Sequence, residues 1–85
     1  MSVRILYFAR LREIMGIAQE LFDLPTATCD VKSLRAQLVA RGGASSAALG
    51  QGKAVRVSVN QDLARDDTPV KAGDEIAFFP PVTGG

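Results

Sequence analysis

The end of the chain, Gly84-Gly85, is the feature with the clearest chemical meaning. Because glycine makes up roughly 7% of residues, a terminal Gly-Gly arises by chance in about one chain in 200, so alone it is weak support for a function. Two residues without side chains let a carboxylate thread a narrow channel in another protein. A carboxylate is a poor electrophile and must first be activated by another enzyme, typically as an acyl-adenylate. The pattern therefore indicates a reactive group at the C-terminal carboxylate of Gly85.

The residues before the terminal glycines agree with this interpretation. Pro80 and Pro81 stiffen the exit from the preceding strand and project the tail away from the body of the protein. Val82 and Thr83 add a short extended spacer. We therefore expect a flexible C-terminal tail over residues 80–85. The alternative is a frayed end without a function.

The rest of the sequence lacks the usual catalytic side chains. It has no histidine, which removes the usual general base and the commonest zinc ligand. Its one cysteine, Cys29, excludes an internal disulfide and a CxxC pair. We find no Ser-His-Asp set, no Walker loop and no metal-ligand cluster, and expect no metal site. The catalysts are therefore expected to lie in partner proteins.

Two acidic pairs and the cysteine are the remaining candidates for chemistry. Asp66-Asp67 and Asp74-Glu75 lie in predicted turns, where adjacent carboxylates are usually solvated, and we expect surface or structural roles for them. A helix start beside Cys29 could lower the pKa of its thiol. An inert cysteine next to a helix cap is the better interpretation.

Length and composition bound the class of protein. With 85 residues and 9.0 kDa, the chain is expected to form a single domain over residues 1–85. Ten basic and nine acidic side chains give a net charge of +1, which offers no case for nucleic acid. No stretch approaches the roughly 18 apolar residues of a membrane span. Without a signal peptide and with one cysteine, we expect a cytoplasmic protein.

Alternating apolar residues predict the strands. Val57 and Val59 alternate with polar neighbours, and the last strand places Ile76 and Phe78 on one face and Ala77 on the other. The predicted strands are residues 3–9, 17–24, 55–59 and 75–79, with a short arm starting at Leu63.

Helical spacing predicts two helices. The first covers residues 10–15, and the second and main helix follows an N-cap at Asp30 and stops at Gly42-Gly43. Their apolar positions are Leu11, Ile14 and Met15 in the first and Val31, Leu34 and Leu38 in the second. We expect residues 44–52, which are mostly small, to form an irregular connection.

This order of elements favours an α+β fold of the β-grasp, or ubiquitin-like, type. One main helix would pack on one face of a mixed sheet. On the opposite face, strand parity places Leu6, Phe8 and Phe79, and the short arm would add Leu63 to them. An apolar patch of this kind next to the tail favours a protein interface over a face covered by loops.

The sequence resembles a known family at this point. The tail from Asp74 to Gly85 closely resembles the signature of the small subunits of molybdopterin synthase. Residues 6–13 and 59–61 are similar to that family as well, and length and element order match over the whole chain.

The resemblance implies a sulfur carrier. In that family an activating enzyme related to ubiquitin-activating enzymes uses ATP to adenylate the terminal glycine, here Gly85, and sulfur transfer gives a thiocarboxylate. The tail then enters the large synthase subunit, where the sulfur attacks cyclic pyranopterin monophosphate in molybdenum cofactor biosynthesis. Two carriers and two large subunits usually form a heterotetramer. The chain would then be a sulfur-donating subunit that binds no cofactor, with the active site in the large subunit.

The resemblance also assigns partner contacts. The positions that match the subunit interface of the family are Phe8, Leu63 and Phe79, on the face that strand parity selects. The partner-binding tail residues are Pro80, Pro81, Val82, Thr83 and Gly84.

Three alternatives stay open from the sequence. Carriers for thiamine thiazole synthesis share the fold and the terminal Gly-Gly but usually lack the Phe-Phe-Pro-Pro-Val run. A ubiquitin-like modifier would be joined through Gly85 to lysines of target proteins. A passive interaction domain would not need the terminal glycines at all.

Overall fold

The computed structural model describes residues 2–25 and 28–81, which form seven strands and three helices. The strands are β1 (Ser2–Tyr7), β2 (Gln19–Asp23), β3 (Thr28–Asp30), β4 (Arg56–Val59), β5 (Asp62–Leu63), β6 (Pro69–Lys71) and β7 (Glu75–Phe79). The helices are α1 (Ala9–Met15), α2 (Val31–Ala40) and α3 (Gly43–Leu49). No helix within this part of the chain has the length and hydropathy to cross a membrane.

Five strands form a mixed sheet in the order β2-β1-β7-β4-β5. The first and last strands of the chain, β1 and β7, run parallel in its middle, and the other neighbours are antiparallel. The core lies between this sheet and the helices, so the predicted β-grasp fold is confirmed. The prediction of one domain over residues 1–85 also covers residues 1, 26–27 and 82–85, which lie outside the described part.

The apolar residues that strand alternation and helix spacing select pack in one core. The inward residues of β1 and β7 and the predicted stripe of α2 are each at most 1% exposed, and burial of each such side chain stabilises the fold by about 1.5–3 kcal/mol. These residues are Val3, Ile5, Tyr7, Ile76, Phe78, Val31, Leu34 and Leu38. The rings of Tyr7 and Phe78 stack with centroids 6.2 Å apart.

The main helix begins where its cap predicts. The Asp30 carboxylate accepts a hydrogen bond from the Ser33 amide at 2.7 Å, which satisfies one of the open N–H groups of the first turn. In α1, Leu11 is buried and Met15 packs against the core, but Ile14 is 38% exposed. The prediction that Ile14 belongs to the buried face is therefore wrong, since positions 11 and 15 already form the inward edge of this short helix.

The connection predicted over residues 44–52 is mostly the helix α3. Ala48 and Leu49 of this helix are each 1% exposed within the core. At its end a Cβ on Gly50 would lie 2.5 Å from the Ser46 carbonyl oxygen, so only glycine fits this close approach. Small residues give little hydrophobic periodicity, which explains why the sequence pattern did not reveal the helix.

A second sheet, formed by β3 and β6, was also not predicted. Its antiparallel register pairs Cys29 with Val70 and Asp30 with Pro69. Pro69 is the first residue of β6, and Val70 is fully buried. Strands of three residues are too short for alternation to distinguish them from turns.

Candidate functional site

The candidate site is the sheet face opposite the helices, called here the outer face, together with the start of the tail. The outer face is defined by the strand register, which aligns Leu6 with Ala77, Ala77 with Ser58 and Ser58 with Leu63. Phe79, two residues after Ala77, lies on the same face. Strand parity therefore predicted this surface correctly.

The three predicted contact residues all lie on the outer face. Phe8 is 47% exposed and Leu63 66% exposed, whereas Phe79 is half-buried. The amide of Phe8 donates to the Phe78 carbonyl at 3.1 Å, which holds the end of β1 against β7. Ala9 then has a φ of 51°, rare for a residue with a Cβ, and turns the chain into α1 directly after Phe8.

One further residue of this face escaped sequence reasoning. Leu21 is aligned with Arg4, points to the outer face and is 72% exposed. The imperfect alternation of β2 left its buried side undecided. The register with β1 shows which side of β2 is buried, because Phe22 lies opposite Val3 and packs against the core.

The tail leaves the middle of the sheet. β7 is the third of five strands, and its last residue, Phe79, is aligned with Arg56. Pro80 and Pro81 follow and end the hydrogen-bonded ladder, since neither has an N–H to donate. The predicted tail residues Val82, Thr83, Gly84 and Gly85 lie outside the described part of the chain.

A polar network on the helix side holds β1 and β2 together beneath the outer face. The Tyr7 hydroxyl donates to Glu20 Oε2 at 2.6 Å, and Arg41 donates to both Glu20 oxygens at 2.8 and 2.9 Å. The hydrogen bond from Arg41 is the main cause that lowers the pKa of Glu20. Burial, followed by the contact with Glu20, raises the pKa of Tyr7. Both groups therefore keep one protonation state at neutral pH and act as structural supports.

A second network positions Leu63. Asn60 and Gln61 both have positive φ, 51° and 73°, in the two-residue turn between β4 and β5. Asn60 Nδ2 donates to the Asp74 carboxylate at 3.0 Å, and the same carboxylate accepts the Lys71 amide at 2.9 Å. Asp74 is only 6% exposed, so the expectation of a solvated carboxylate is wrong at this position, where its hydrogen bonds hold the β4–β5 turn in place.

The remaining candidate for chemistry, Cys29, is half-buried and free. Burial, with Asp30 beside it, raises the pKa of the Cys29 thiol. A raised pKa leaves less thiolate at neutral pH and makes the sulfur a weaker nucleophile. The described residues thus offer an exposed apolar sheet face and the first residues after β7, and among them Cys29 is not activated by its surroundings.

The fold and the site together define a ubiquitin-like β-grasp protein that presents an apolar sheet face beside its C-terminal segment. Residues 5–85 of the chain match the ThiS family. The chain belongs to this family.

Curated and solved relatives agree with this assignment. The molybdopterin synthase sulfur carrier subunit of Escherichia coli (strain K12) is 41% identical over 85 residues, covering 98% of this chain and 99% of that protein. The crystal structure of SAMP1 from Haloferax volcanii superposes with a TM-score of 0.81 at 29% identity and covers all of both chains. A complex of subunits 1 and 2 of molybdopterin-converting factor from Helicobacter pylori 26695 contains a chain with a TM-score of 0.67, 29% identity and full coverage of both chains. The resemblance found from the tail is confirmed.

Proposed function

We propose that this chain is the sulfur carrier subunit of molybdopterin synthase and donates sulfur from a thiocarboxylate at Gly85. The observation that carries the proposal is the full-length likeness to the Escherichia coli sulfur carrier subunit, at 41% identity. The geometry supports it, because the apolar outer face lies beside the strand from which the tail leaves. The chain itself has the role of sulfur donor, and the active site lies in the large subunit.

Loading requires two steps at the terminal carboxylate. An activating enzyme transfers AMP from ATP to the Gly85 carboxylate and releases pyrophosphate. A sulfur nucleophile then attacks the carbonyl carbon, the C–O bond to AMP breaks, and AMP leaves with its electron pair. ATP is bound by the activating enzyme, and this chain needs no cofactor of its own.

Delivery takes place in the large subunit. The outer face, with Phe8, Leu63 and Phe79, docks on that subunit, and tail residues 80–85 reach its active site. There the thiocarboxylate sulfur attacks a carbon of cyclic pyranopterin monophosphate, a C–O bond at that carbon breaks, and the oxygen leaves with the electron pair. Water then attacks the Gly85 carbonyl carbon and breaks its bond to sulfur, which leaves the sulfur on the precursor and returns Gly85 to a carboxylate. The complex of two subunits from Helicobacter pylori supports such a pairing, and two copies of each subunit would form a heterotetramer. The proposal places the assembly in the cytoplasm.

The loading step has a direct test by intact-mass analysis. The purified chain is incubated with its activating enzyme, ATP and a sulfur donor, and we expect the mass change of one oxygen exchanged for sulfur. Deletion of Gly85 is the matched control and should remain unchanged in mass. An unmodified full-length chain under conditions that load an Escherichia coli carrier would contradict the proposal.

A role as a protein modifier is the second candidate. It is favoured by the likeness to SAMP1, a name that stands for small archaeal modifier protein 1. A modifier would share the adenylation of Gly85 but end in an isopeptide bond to a lysine of a target protein. Peptide mapping of cell extracts should find the terminal Gly-Gly on target lysines if this function operates, and only the free carrier if it does not.

A further inference from the structure

A groove of about 540 Å³ lies at the edge of the central sheet, where β5 ends. β5 has only the two residues Asp62–Leu63. Directly after it, the Ala64 amide donates a hydrogen bond to the Val57 carbonyl of β4 at 2.9 Å. Val55 and Arg56, which come just before Val57 in the chain, line the groove. This end of β4 therefore borders an open groove where a longer β5 would have continued the sheet.

The floor of the groove is apolar. Val31, Val57 and Phe78 reach it from the core and are themselves at most 9% exposed. Val55 and Ala64 add half-buried walls. A sheet edge above an apolar floor is a surface that can accept an extended segment of another protein as an added strand.

The rim of the groove is cationic. Arg35, Arg56 and Arg65 line it, against the single carboxylate of Asp66. Arg56 has no side-chain hydrogen bond or ion pair within residues 2–25 and 28–81. Arg65 meets Asp67 at 3.9 Å with both side chains more than 80% exposed, an ion pair of little energetic weight. In a chain of net charge +1, this is a local excess of positive charge.

The Arg35 guanidinium is held in place by the backbone. Its Nε donates to the Leu49 carbonyl at 2.8 Å and its Nη2 to the Lys53 carbonyl at 3.0 Å. These acceptors are neutral, so they orient the guanidinium without cancelling its charge. One wall of the groove thus presents a fixed cation.

The groove is continuous with the outer face. Leu63 belongs to both surfaces, and Arg56 is aligned with Phe79 at the base of the tail. We propose that the groove binds an acidic, extended segment of the protein that receives the tail, with its backbone along β4 and its carboxylates at Arg56 and Arg65. The inference rests on the proposed function in taking the large subunit of molybdopterin synthase as that protein. Complementary charge would speed association and fix the register of docking.

Charge reversal tests the groove in the intact chain. Arg56→Glu should weaken binding to the large subunit by about tenfold at low salt and flatten the salt dependence of the affinity. Lys71→Glu makes the same change of charge at an exposed position outside the groove and should stay within about twofold of the unsubstituted chain. Thermal unfolding of both variants verifies that the fold is intact.

The outcomes separate this inference from the proposed function. If the unsubstituted chain binds the large subunit and Arg56→Glu binds equally well at every salt concentration, the groove proposal is wrong and the proposed function stands. If the unsubstituted chain does not bind the large subunit, both fail.

Crosslinking provides a second readout that loss of stability cannot imitate. Arg56→Lys places a primary amine on the rim, and a carbodiimide joins an amine to a neighbouring carboxylate as an amide while taking up the water released. We expect new crosslinks, absent from the unsubstituted chain, to Asp or Glu residues of one segment of the large subunit. New crosslinks to a second copy of this chain, or none to the large subunit, would overturn the proposal.

Discussion

At the residue scale, the proposed docking depends on the large apolar side chains that stay exposed on the outer face. Leu63 contributes little to the core, because 66% of it is exposed and β5 holds it by two register pairs. Burying such a side chain against a partner removes apolar surface from water at roughly 25 cal/mol per Å². The free energy gained by burying the Leu63 side chain is therefore available for association with a partner.

Leu63→Ala should weaken binding to the large subunit by about tenfold while the free energy of unfolding changes little. Ile14→Ala is the matched control, since Ile14 is 38% exposed and lies on α1, which packs on the helix side of the sheet and not on the outer face. Titration calorimetry and urea unfolding measure the two quantities. Equal affinities for the two variants would remove Leu63 from the interface.

The pKa of Glu20 connects a single residue to the acid stability of the fold. Because Arg41 lowers this pKa in the folded state, the carboxylate contributes stability above its unfolded pKa of about 4.3. That contribution is lost as the pH falls through the folded pKa. The side chain of Glu20 is 17% exposed, so solvent screens the pair only in part.

Urea unfolding from pH 7 to pH 3 should therefore show a steeper loss of stability in the unsubstituted chain than in Glu20→Gln. Glu13→Gln, which removes an exposed carboxylate on α1, is the control and should keep the steep acid limb. An unchanged acid limb in Glu20→Gln would show that the bond to Arg41 does not contribute to stability.

The elements that escaped prediction are those whose cause lies in tertiary contact. α3 has little apolar periodicity and is held by Ala48 and Leu49 in the core and by Arg35 at its last carbonyls. The β3–β6 sheet consists of two three-residue strands that pair across long sequence separation. In contrast, β7 was predicted within its observed bounds because period-two alternation is a local property. The outer face followed from the same parity, whereas the groove beside it required the structure.

Gly50→Ala tests the account of α3. The added Cβ would meet the Ser46 carbonyl at 2.5 Å, so the end of the helix must shift, at a cost of about 1–3 kcal/mol in the free energy of unfolding. Ala47→Ser, at an exposed position of the same helix, should cost less than about 0.7 kcal/mol. Similar unfolding midpoints for both variants would mean that Gly50 is not needed for this packing.

At the scale of the whole molecule, folding and chemistry occupy separate parts of the chain. The core uses residues of β1, α2, α3, β4 and β7, whereas the proposed reaction takes place at Gly85. In the proposed reaction the partners supply the catalysis and this fold supplies a face and a tail, so a chain without histidine can serve in sulfur transfer. The tail stands out in the sequence as a short linear motif. Its interpretation as a sulfur carrier required the resemblance to the family.

Deletion of Gly84-Gly85 should therefore leave the free energy of unfolding unchanged within about 0.5 kcal/mol, while sulfur loading is lost completely. Urea unfolding and intact-mass analysis of the same preparation measure both. A destabilised variant would mean that the terminal residues also contribute to the fold.

The most direct test of the central claim is a single turnover of sulfur transfer. The chain loaded as a thiocarboxylate is mixed with the large subunit and cyclic pyranopterin monophosphate, and its intact mass is followed together with molybdopterin formation. We predict that the carrier returns to the carboxylate form as molybdopterin appears, and that omission of the precursor prevents molybdopterin formation. A carrier that keeps its sulfur in the presence of a large subunit active with the Escherichia coli carrier would contradict the account.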